Sequence, residues 1–309
     1  MKHEITIGEA VTELEVAAFW EQLRAYYRRD IFPDPRDTDR EFFLSQERQV
    51  QMQQVHDRPQ DPCYYLFSYR NGQSIGFALP VIFTSEDGKC FILEFCVYPE
   101  FRGNGTGKAC AQALLTWAKA HGAHYAELNY GGDQRRCRFW ERVGFVTNGV
   151  DEWGDVLMLF PPNEDISIAV EVLTDPEDWQ LKKLENGFLK EIGEQTLTKE
   201  KQELLAQAIR AEKITFFMAR RDCRAVGMCS VVKCFSTFAC ADTGVFEDFY
   251  VEPAFRKKGI ARKLTQAAQV WSHEQGMSSL TVCCAPCDEK MYQSLGFETQ
   301  LGTTWAYLR

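Results

Sequence analysis

The sequence predicts a mixed α/β chain of two tandem domains built to one plan. Three observations carry this. At 309 residues the chain is too long for one typical domain and suits two. It also repeats itself: "VYPEFRGNGTGKACAQALLTWAKAHG" (97–122) aligns without a gap on "VEPAFRKKGIARKLTQAAQVWSHEQG" (251–276). Val97 matches Val251, Pro99 Pro253, Phe101 Phe255, Arg102 Arg256, Gly105 Gly259, Trp117 Trp271 and Gly122 Gly276. Finally, each copy places a loop containing glycine between a strand pattern and a helix pattern. Further on, "FWERVGF" (139–145) matches "MYQSLGF" (291–297). A repeat this long marks a duplicated domain and not a solenoid unit. The boundary is expected at "FPPNEDI" (160–166), where prolines and polar residues follow an apolar strand, giving domains 1–162 and 163–309.

Both halves read in the same order. Helical segments open them: "VAAFWEQLRAYY" and "REFFLSQERQVQMQQV", then "DWQLKKLENGFLKEI" and "KEKQELLAQAI". A hairpin follows, signalled in the first half by Asn71-Gly72 between two apolar runs. Next come "CFILEFCVY" and "VFEDFYV", rich in aromatic and β-branched residues. After the loop, Cys110, Leu114, Trp117 and Ala118, and in the second half Leu264, Ala267, Ala268 and Trp271, fall on one helical face. Both helices stop at a glycine. A strand, a short helix ending in Gly-Phe and a last strand ("DVLMLF"; "TWAYLR") complete each half.

Composition is that of a globular protein, 45% hydrophobic and 26% charged. A net charge of −9 argues against a broad nucleic-acid surface, which needs clustered Lys and Arg. No apolar run is long enough to span a membrane, and "MKHEITIGEAVTELE" lacks the apolar core of a secretory signal. A cytoplasmic location is expected, with the 12 cysteines as reduced thiols. No metal is expected. Cys284 and Cys287 form a lone CxxC and read as small buried residues, whereas His121 and His124 flank a helix stop and read as surface histidines.

A loop between a strand and a helix N-terminus suits an anion, because amides and the positive helix end converge there. The Walker pattern fails, since Gly107-Lys108 is followed by Ala109 and the required first glycine is Arg102. The dinucleotide pattern GxGxxG fails at Lys108 and at Cys110. What both copies share is R-x-x-G-x-[G/A]: Arg102, Gly105, Gly107 and Arg256, Gly259, Ala261. With the preceding V-x-P-x-F strand end and the later Gly-Phe, this resembles the acyl-CoA loop of the GNAT N-acetyltransferase superfamily. The resemblance covers roughly residues 60–160 and 210–309. It implies an α/β (α+β) fold of two GNAT-like domains, each a mixed central sheet flanked by helices, with loop amides around the pyrophosphate of acetyl-CoA. The residues it assigns to the cofactor are Val97, Arg102, Gly103, Asn104, Gly105, Thr106, Gly107 and Lys108, then Val251, Arg256, Lys257, Lys258, Gly259, Ile260, Ala261 and Arg262.

Acetyl transfer to an amine needs a base for the ammonium, a polarised thioester carbonyl and a proton for the thiolate. Glu94, and Asp248 with neighbouring Glu247, lie on the strand before each loop and are the carboxylates expected to serve. The family often places a Tyr four residues before the Gly of Gly-Phe to protonate the thiolate. That position is Tyr292 in the second half and Trp140 in the first. Indole is a donor but no practical acid, so chemistry is expected in the C-terminal domain. The second half departs from the family too, carrying Ala285 where the family has Asn. Two alternatives stand beside this: acyl-CoA binding for sensing without turnover, and catalysis in the N-terminal domain. The acceptor is a small-molecule or peptide amine. "YYRRDIFPDPRDTDREFF" (26–43), with Asp34, Asp37 and Asp39, offers either a cationic acceptor pocket or a solvated acidic loop. Whether the two domains pair around one acceptor or work apart is left open.

Overall fold

A computed structural model describes residues 4–151, 153–161 and 167–302. The chain divides into two compact units, Met1–Pro162 and Asn163–Arg309. The expected boundary at 162/163 lies outside the described residues, as does the last strand expected at "TWAYLR".

The N-terminal unit opens with a short strand, β1 (Thr6–Glu9), that the apolar pattern did not mark out. Helix α1 (Glu13–Tyr26) starts at Thr12. There the Thr12 amide donates to Glu15 at 2.9 Å and the Glu15 amide to Thr12 Oγ1 at 3.3 Å, a reciprocal capping box. Phe19, Trp20, Leu23 and Tyr26 form its buried face. The helix runs into a π-helical turn, Tyr27–Ile31. The single helix expected over 40–55 is two, α2 (Thr38–Leu44) and α3 (Gln46–His56). Ser45 breaks it: its backbone is extended, its hydroxyl donates to the Phe42 carbonyl at 2.7 Å and accepts from the Arg48 amide at 3.1 Å. A serine that bonds the local backbone in this way competes with the helix it interrupts.

Strands β2 (Leu66–Arg70) and β3 (Gln73–Phe83) form the expected hairpin, with Asn71 and Gly72 both at positive φ (51° and 77°). Then come β4 (Lys89–Val97), α4 (Thr106–Ala120), β5 (Tyr125–Asn129), α5 (Gln134–Val143), β6 (Val146–Val150) and β7 (Val156–Phe160). The seven strands lie in the order β1-β2-β3-β4-β5-β7-β6. All neighbours are antiparallel except β4 and β5. Side chains alternate across this sheet. Leu66, Ala78, Ile82 and Ile92 pack with Leu114, Ala118 and Trp140 on the face covered by α4 and α5. Tyr65, Phe67, Phe77 and Leu79 pack with Phe19, Trp20 and Leu23 of α1 on the other.

The C-terminal unit repeats the plan. It runs β8 (Ile168–Val172), α6 (Trp179–Glu191), α7 (Lys199–Arg210), β9 (Ile214–Arg221), β10 (Arg224–Ser236), β11 (Ala241–Val251), α8 (Ile260–Glu274), β12 (Leu280–Val282) and α9 (Glu289–Ser294). Strand order β12-β11-β10-β9-β8 mirrors β5 back to β1, with β11 and β12 the parallel pair. Leu181 and Leu184 of α6 pack on Phe216, Met218, Met228 and Tyr250. Beneath the start of the loop, the Arg224 guanidinium donates to Glu252 at 2.9 and 2.7 Å, and Lys183 adds a third charge at 3.3 Å. Burial pushes the Glu252 carboxyl up, but Arg224 and Lys183 outweigh it and hold the group below the ordinary carboxylate range. The expected burial of the CxxC pair is not found: Cys287 is exposed and Cys284 half-buried, because the segment entering α9 runs along the surface.

Glu252→Gln leaves Arg224 buried beside a neutral partner and is expected to cost about 3–5 kcal/mol in urea unfolding. With its carboxyl held low in the folded state, Glu252 stabilises above the unfolded value near 4.5. The difference between variant and parent should therefore shrink as pH falls below that value.

Candidate active site

Parallel pairing between β4 and β5 lasts only three residues, Lys89–Phe91 against Tyr125–Glu127. Beyond it the strands part. Just past that point β4 bulges: Glu94 faces Leu79 and Ile92 faces Pro80, which leaves Leu93 as an extra residue outside the ladder. Pro80 has no N–H to offer, so the break falls where the ladder is already weak. A cleft of ≈1370 Å³ opens here, lined by β4, the ends of β5 and α5, the π-helical turn, α2, α3 and the loop before α4. Its apolar walls and few convergent polar groups are those of a small-molecule site.

At one end lies the R-x-x-G-x-G loop. Gly105 takes φ +79° as the residue before α4, and no side chain caps that helix. Thr106 N donates to Gly103 O at 3.0 Å and Ala109 N to Gly105 O at 3.0 Å. The amides of Gly107 and Lys108 between them have no hydrogen-bond partner among the described residues. Two free amides on an uncapped helix start fit a phosphate group. Gly259 repeats this before α8, at φ +81° and again without a side-chain cap. The motif arginines are turned inward. Arg102 Nε donates to Val97 O at 2.8 Å and its Nη2 to Asp30 at 2.6 Å; Arg256 Nε donates to Val251 O at 2.8 Å and its Nη2 to Glu191. In both halves the arginine ties the strand end to the close of the first long helical segment and so braces the loop. Lys108 lines the cleft.

Glu94 forms the floor, half-buried, with the Tyr27 hydroxyl donating to it at 2.8 Å. Burial pushes its carboxyl up to about 7, although Tyr27, Arg48 and Arg136 all pull the other way. Burial and the facing Glu94 raise the Tyr27 phenol in turn, so it stays the donor. Asp30 sits above them. Burial raises its carboxyl, but bonds from Arg29 and Arg102 outweigh that and hold it low. Its backbone oxygen accepts from Arg136 at 3.1 Å. Neither Tyr27, Arg48, Arg136 nor Asp30 stood out in the sequence as a site residue; the only trace was the aromatic and basic run "YYRRD". Asp34, Asp37 and Asp39 do not line the cleft. Asp34 pairs with Arg36 at 2.8 Å and Asp37 accepts from the Asp39 amide at 3.0 Å, which is the solvated-loop outcome.

Trp140, in the place of the expected acid, is 6% exposed and packs on Phe95, Phe139 and Phe145 as a core residue whose edge reaches the cleft.

In the C-terminal unit β11 and β12 also pair for three residues, Gly244–Phe246 against Leu280–Val282. A bulge follows on β11 between Glu247 and Tyr250, with Asp248 at φ +48°. The Ser230 hydroxyl donates to Asp248 at 2.9 Å, and burial raises the Asp248 carboxyl. Glu247 is exposed, though partial burial and then the neighbouring Asp248 still raise its carboxyl. Asp248 also faces Glu185 of α6, which sequence reasoning missed. Glu185 is 5% exposed, and burial followed by Asp248 drives it to about 8. Tyr292 packs its ring on Phe249, Phe246 and Phe297 at 6.1, 6.4 and 5.9 Å, and burial raises its phenol to about 12. Lys258 reaches over the Phe255 ring, 5.9 Å from its centre.

Comparison with known proteins gives the class. A family model described as "Acetyltransferase (GNAT) family" matches residues 18–145, and one described as "Acetyltransferase (GNAT) domain" matches 212–299. Together they span more than half of the chain, which belongs to the GNAT acetyltransferase superfamily and carries two such domains in tandem. Among individual proteins, aminoglycoside N(6')-acetyltransferase type 1 of Salmonella typhimurium (strain LT2) is 28% identical over 98 residues, which is 30% of this chain and 68% of that protein. A solved probable acetyltransferase is 21% identical and covers 46% of this chain and 98% of its own, with a TM-score of 0.42. A predicted acetyltransferase from Clostridium acetobutylicum, solved with acetyl-CoA, is 14% identical over 46% of this chain and 96% of its own, with a TM-score of 0.41. No described helix is long and apolar enough to cross a membrane.

The slim residue in the loop is needed for different reasons in the two halves. A Cβ on Gly107 would stand 2.9 Å from the Phe139 ring, which is wedged against Phe95 and Trp140. Gly107→Ala is therefore expected to cost about 1–2 kcal/mol by overpacking, read as a lowered urea midpoint. Ala261 already carries that methyl in the second half, so the tolerance suggested by Ala261 does not extend to position 107.

Proposed function

We propose that the N-terminal unit transfers an acetyl group from acetyl-CoA to an amine bound in its cleft, with Glu94 as the base. The observation that carries this is a single carboxylate, raised to about 7, on the floor of the cleft that also holds the uncapped start of α4. Acetyl-CoA, when bound, supplies the activated thioester. The free amides of Gly107 and Lys108 take a pyrophosphate oxygen, and Arg102 holds the loop in place from behind. Leu93, outside the ladder, offers backbone N–H to a carbonyl in the cleft. Glu94 accepts the proton of the acceptor ammonium, so that the neutral nitrogen attacks the acetyl carbon as the carbon–sulfur bond breaks. Tyr27 holds the carboxylate in place throughout. The nitrogen sheds its second proton to water as the amide forms, and because the Trp140 indole is no practical acid the departing thiolate takes its proton from solvent. This moves the chemistry from the C-terminal half, where Tyr292 had suggested it, to the half with a base at the foot of a broad cleft. The amines acetylated by the relatives, aminoglycosides among them, define the first acceptor panel.

A second reading keeps catalysis in the C-terminal unit, and rests on Asp248 of β11 and on Tyr292 of α9, whose ring packs on Phe246 and Phe249 of that strand. Coenzyme A release across that panel separates the two. Glu94→Gln should lower kcat by about 100- to 10,000-fold, whereas Tyr292→Phe and Asp248→Asn should leave it within about threefold. The reverse result would move the active site to the C-terminal unit.

The base acts when ionised. Turnover should rise with pH to a plateau with a midpoint near 7, and Glu94→Gln should flatten that limb. Stability runs the opposite way. A carboxyl raised in the folded state binds its proton more tightly there, so its favourable share is complete below about 4.5 and is lost as pH rises through about 7. Glu94→Gln should thus raise the Tm by a few degrees at pH 8 and by less at pH 5, measured by calorimetry.

A further inference from the structure

Among the arginines that line this cleft, the structure ties most to a partner. Arg29 and Arg102 share Asp30, and Arg136 lies 3.7 Å from Asp133 and bonds the Asp30 backbone. Arg48 is different. It projects from α3 into the cleft, and no hydrogen bond or ion pair joins its guanidinium to any described residue. Its Nε is buried and unpartnered, and the guanidinium carbon lies 5.4 Å from the centre of the Phe43 ring. Phe43 packs on Tyr27, whose hydroxyl bonds Glu94. A half-buried cation without a direct ion pair thus stands beside the base, near enough for its charge to offset part of the rise of Glu94. Leaving such a group unpaired is costly unless a ligand supplies the anion. Two of the acids across the cleft are committed elsewhere. Asp133 caps α5 and Asp151 accepts from the amides of Trp153 and Asp155.

We propose that Arg48 is a specificity residue for an oxyanion carried by the acceptor itself, so that the substrate is an amine bearing a carboxylate or a phosphate. A guanidinium receives either group through paired N–H donors. The nitrogen then lies at Glu94 and the anion at Arg48. This distinguishes the acceptor from a polycation, for which an uncompensated arginine beside the base would be repulsive. The inference rests on the transfer reading above for its chemistry, but not for its binding.

The test uses the whole chain with acetyl-CoA and matched acceptors: amino acids against their amides, aminoalkyl phosphates against the parent amino alcohols, and an aminoglycoside. The carboxylate and phosphate arms identify which oxyanion is taken. An anionic acceptor should exceed its neutral match by roughly 10- to 100-fold in kcat/KM. Arg48→Gln should bring that ratio close to one through KM, and Arg48→Lys should restore part of it. The ratio within each variant is unaffected by a general loss of folded protein. Neutral amines or the aminoglycoside turned over as well as the anionic ones, or a ratio that survives in Arg48→Gln, would overturn the proposal. Calorimetric titration of the same compounds separates the two readings. Arg48-dependent binding of an anionic amine without coenzyme A release keeps the subsite and sinks the transfer reading. Release from neutral amines alone keeps the transfer reading and sinks the subsite.

Discussion

Everything in the cleft follows from one constraint, the brevity of the parallel pairing. Three residues of β4 meet three of β5, and three of β11 meet three of β12, before the strands separate. A sheet that splits leaves a row of backbone donors and acceptors facing the gap, and buried backbone groups must find partners. The bulge at the same point turns further backbone out of register. In the N-terminal unit the split also lets α4 begin beside the opening, so that its uncapped end lines it. Backbone polarity, free amides and a carboxylate on the same strand are thus brought together by a single irregularity in an otherwise regular sheet.

The two halves show how far one scaffold can be turned to different electrostatics. Each has a brace from the motif arginine to the preceding strand end, with matching 2.8 Å bonds to Val97 O and Val251 O. Around that shared frame the acids differ. Glu94 receives a tyrosine hydroxyl and faces two arginines, which moderate the rise that burial imposes. Asp248 receives a serine and faces Glu185, an acid without any compensating arginine of this kind. The first arrangement leaves one carboxyl raised to about 7. The second presses two carboxyls toward their protonated forms, which suits a proton-sharing pair better than a free base.

Much of the frame was legible in the sequence because its signals are local or repeated. Asn71-Gly72 can make its turn on its own, and the match of Arg102–Gly107 to Arg256–Ala261 needs only the chain itself. Short edge strands were not legible: β1 and β8 have four and five residues and owe their form to the neighbour they pair with. Ser45 fell inside a segment whose pattern reads as one helix, and only its hydroxyl, bonding on both sides, divides it. The site was half legible. Glu94 and the loop fall on the repeat, whereas Tyr27 and Arg48 come from the opening helices, where the halves diverge and no spacing links them to β4. Tyr292 was read from the family pattern, which places a side chain but says nothing of the wall it needs opposite.

Asp30 gathers more than its size suggests. Its carboxylate takes Arg29 and Arg102, and its carbonyl takes Arg136, so the end of the first helix, the loop before α4 and α5 all meet at one residue. These three walls of the cleft therefore cannot drift independently. A tilt in any one of them is passed to the other two through that shared knot, so the position of the uncapped start of α4 and the width of the cleft mouth are set together.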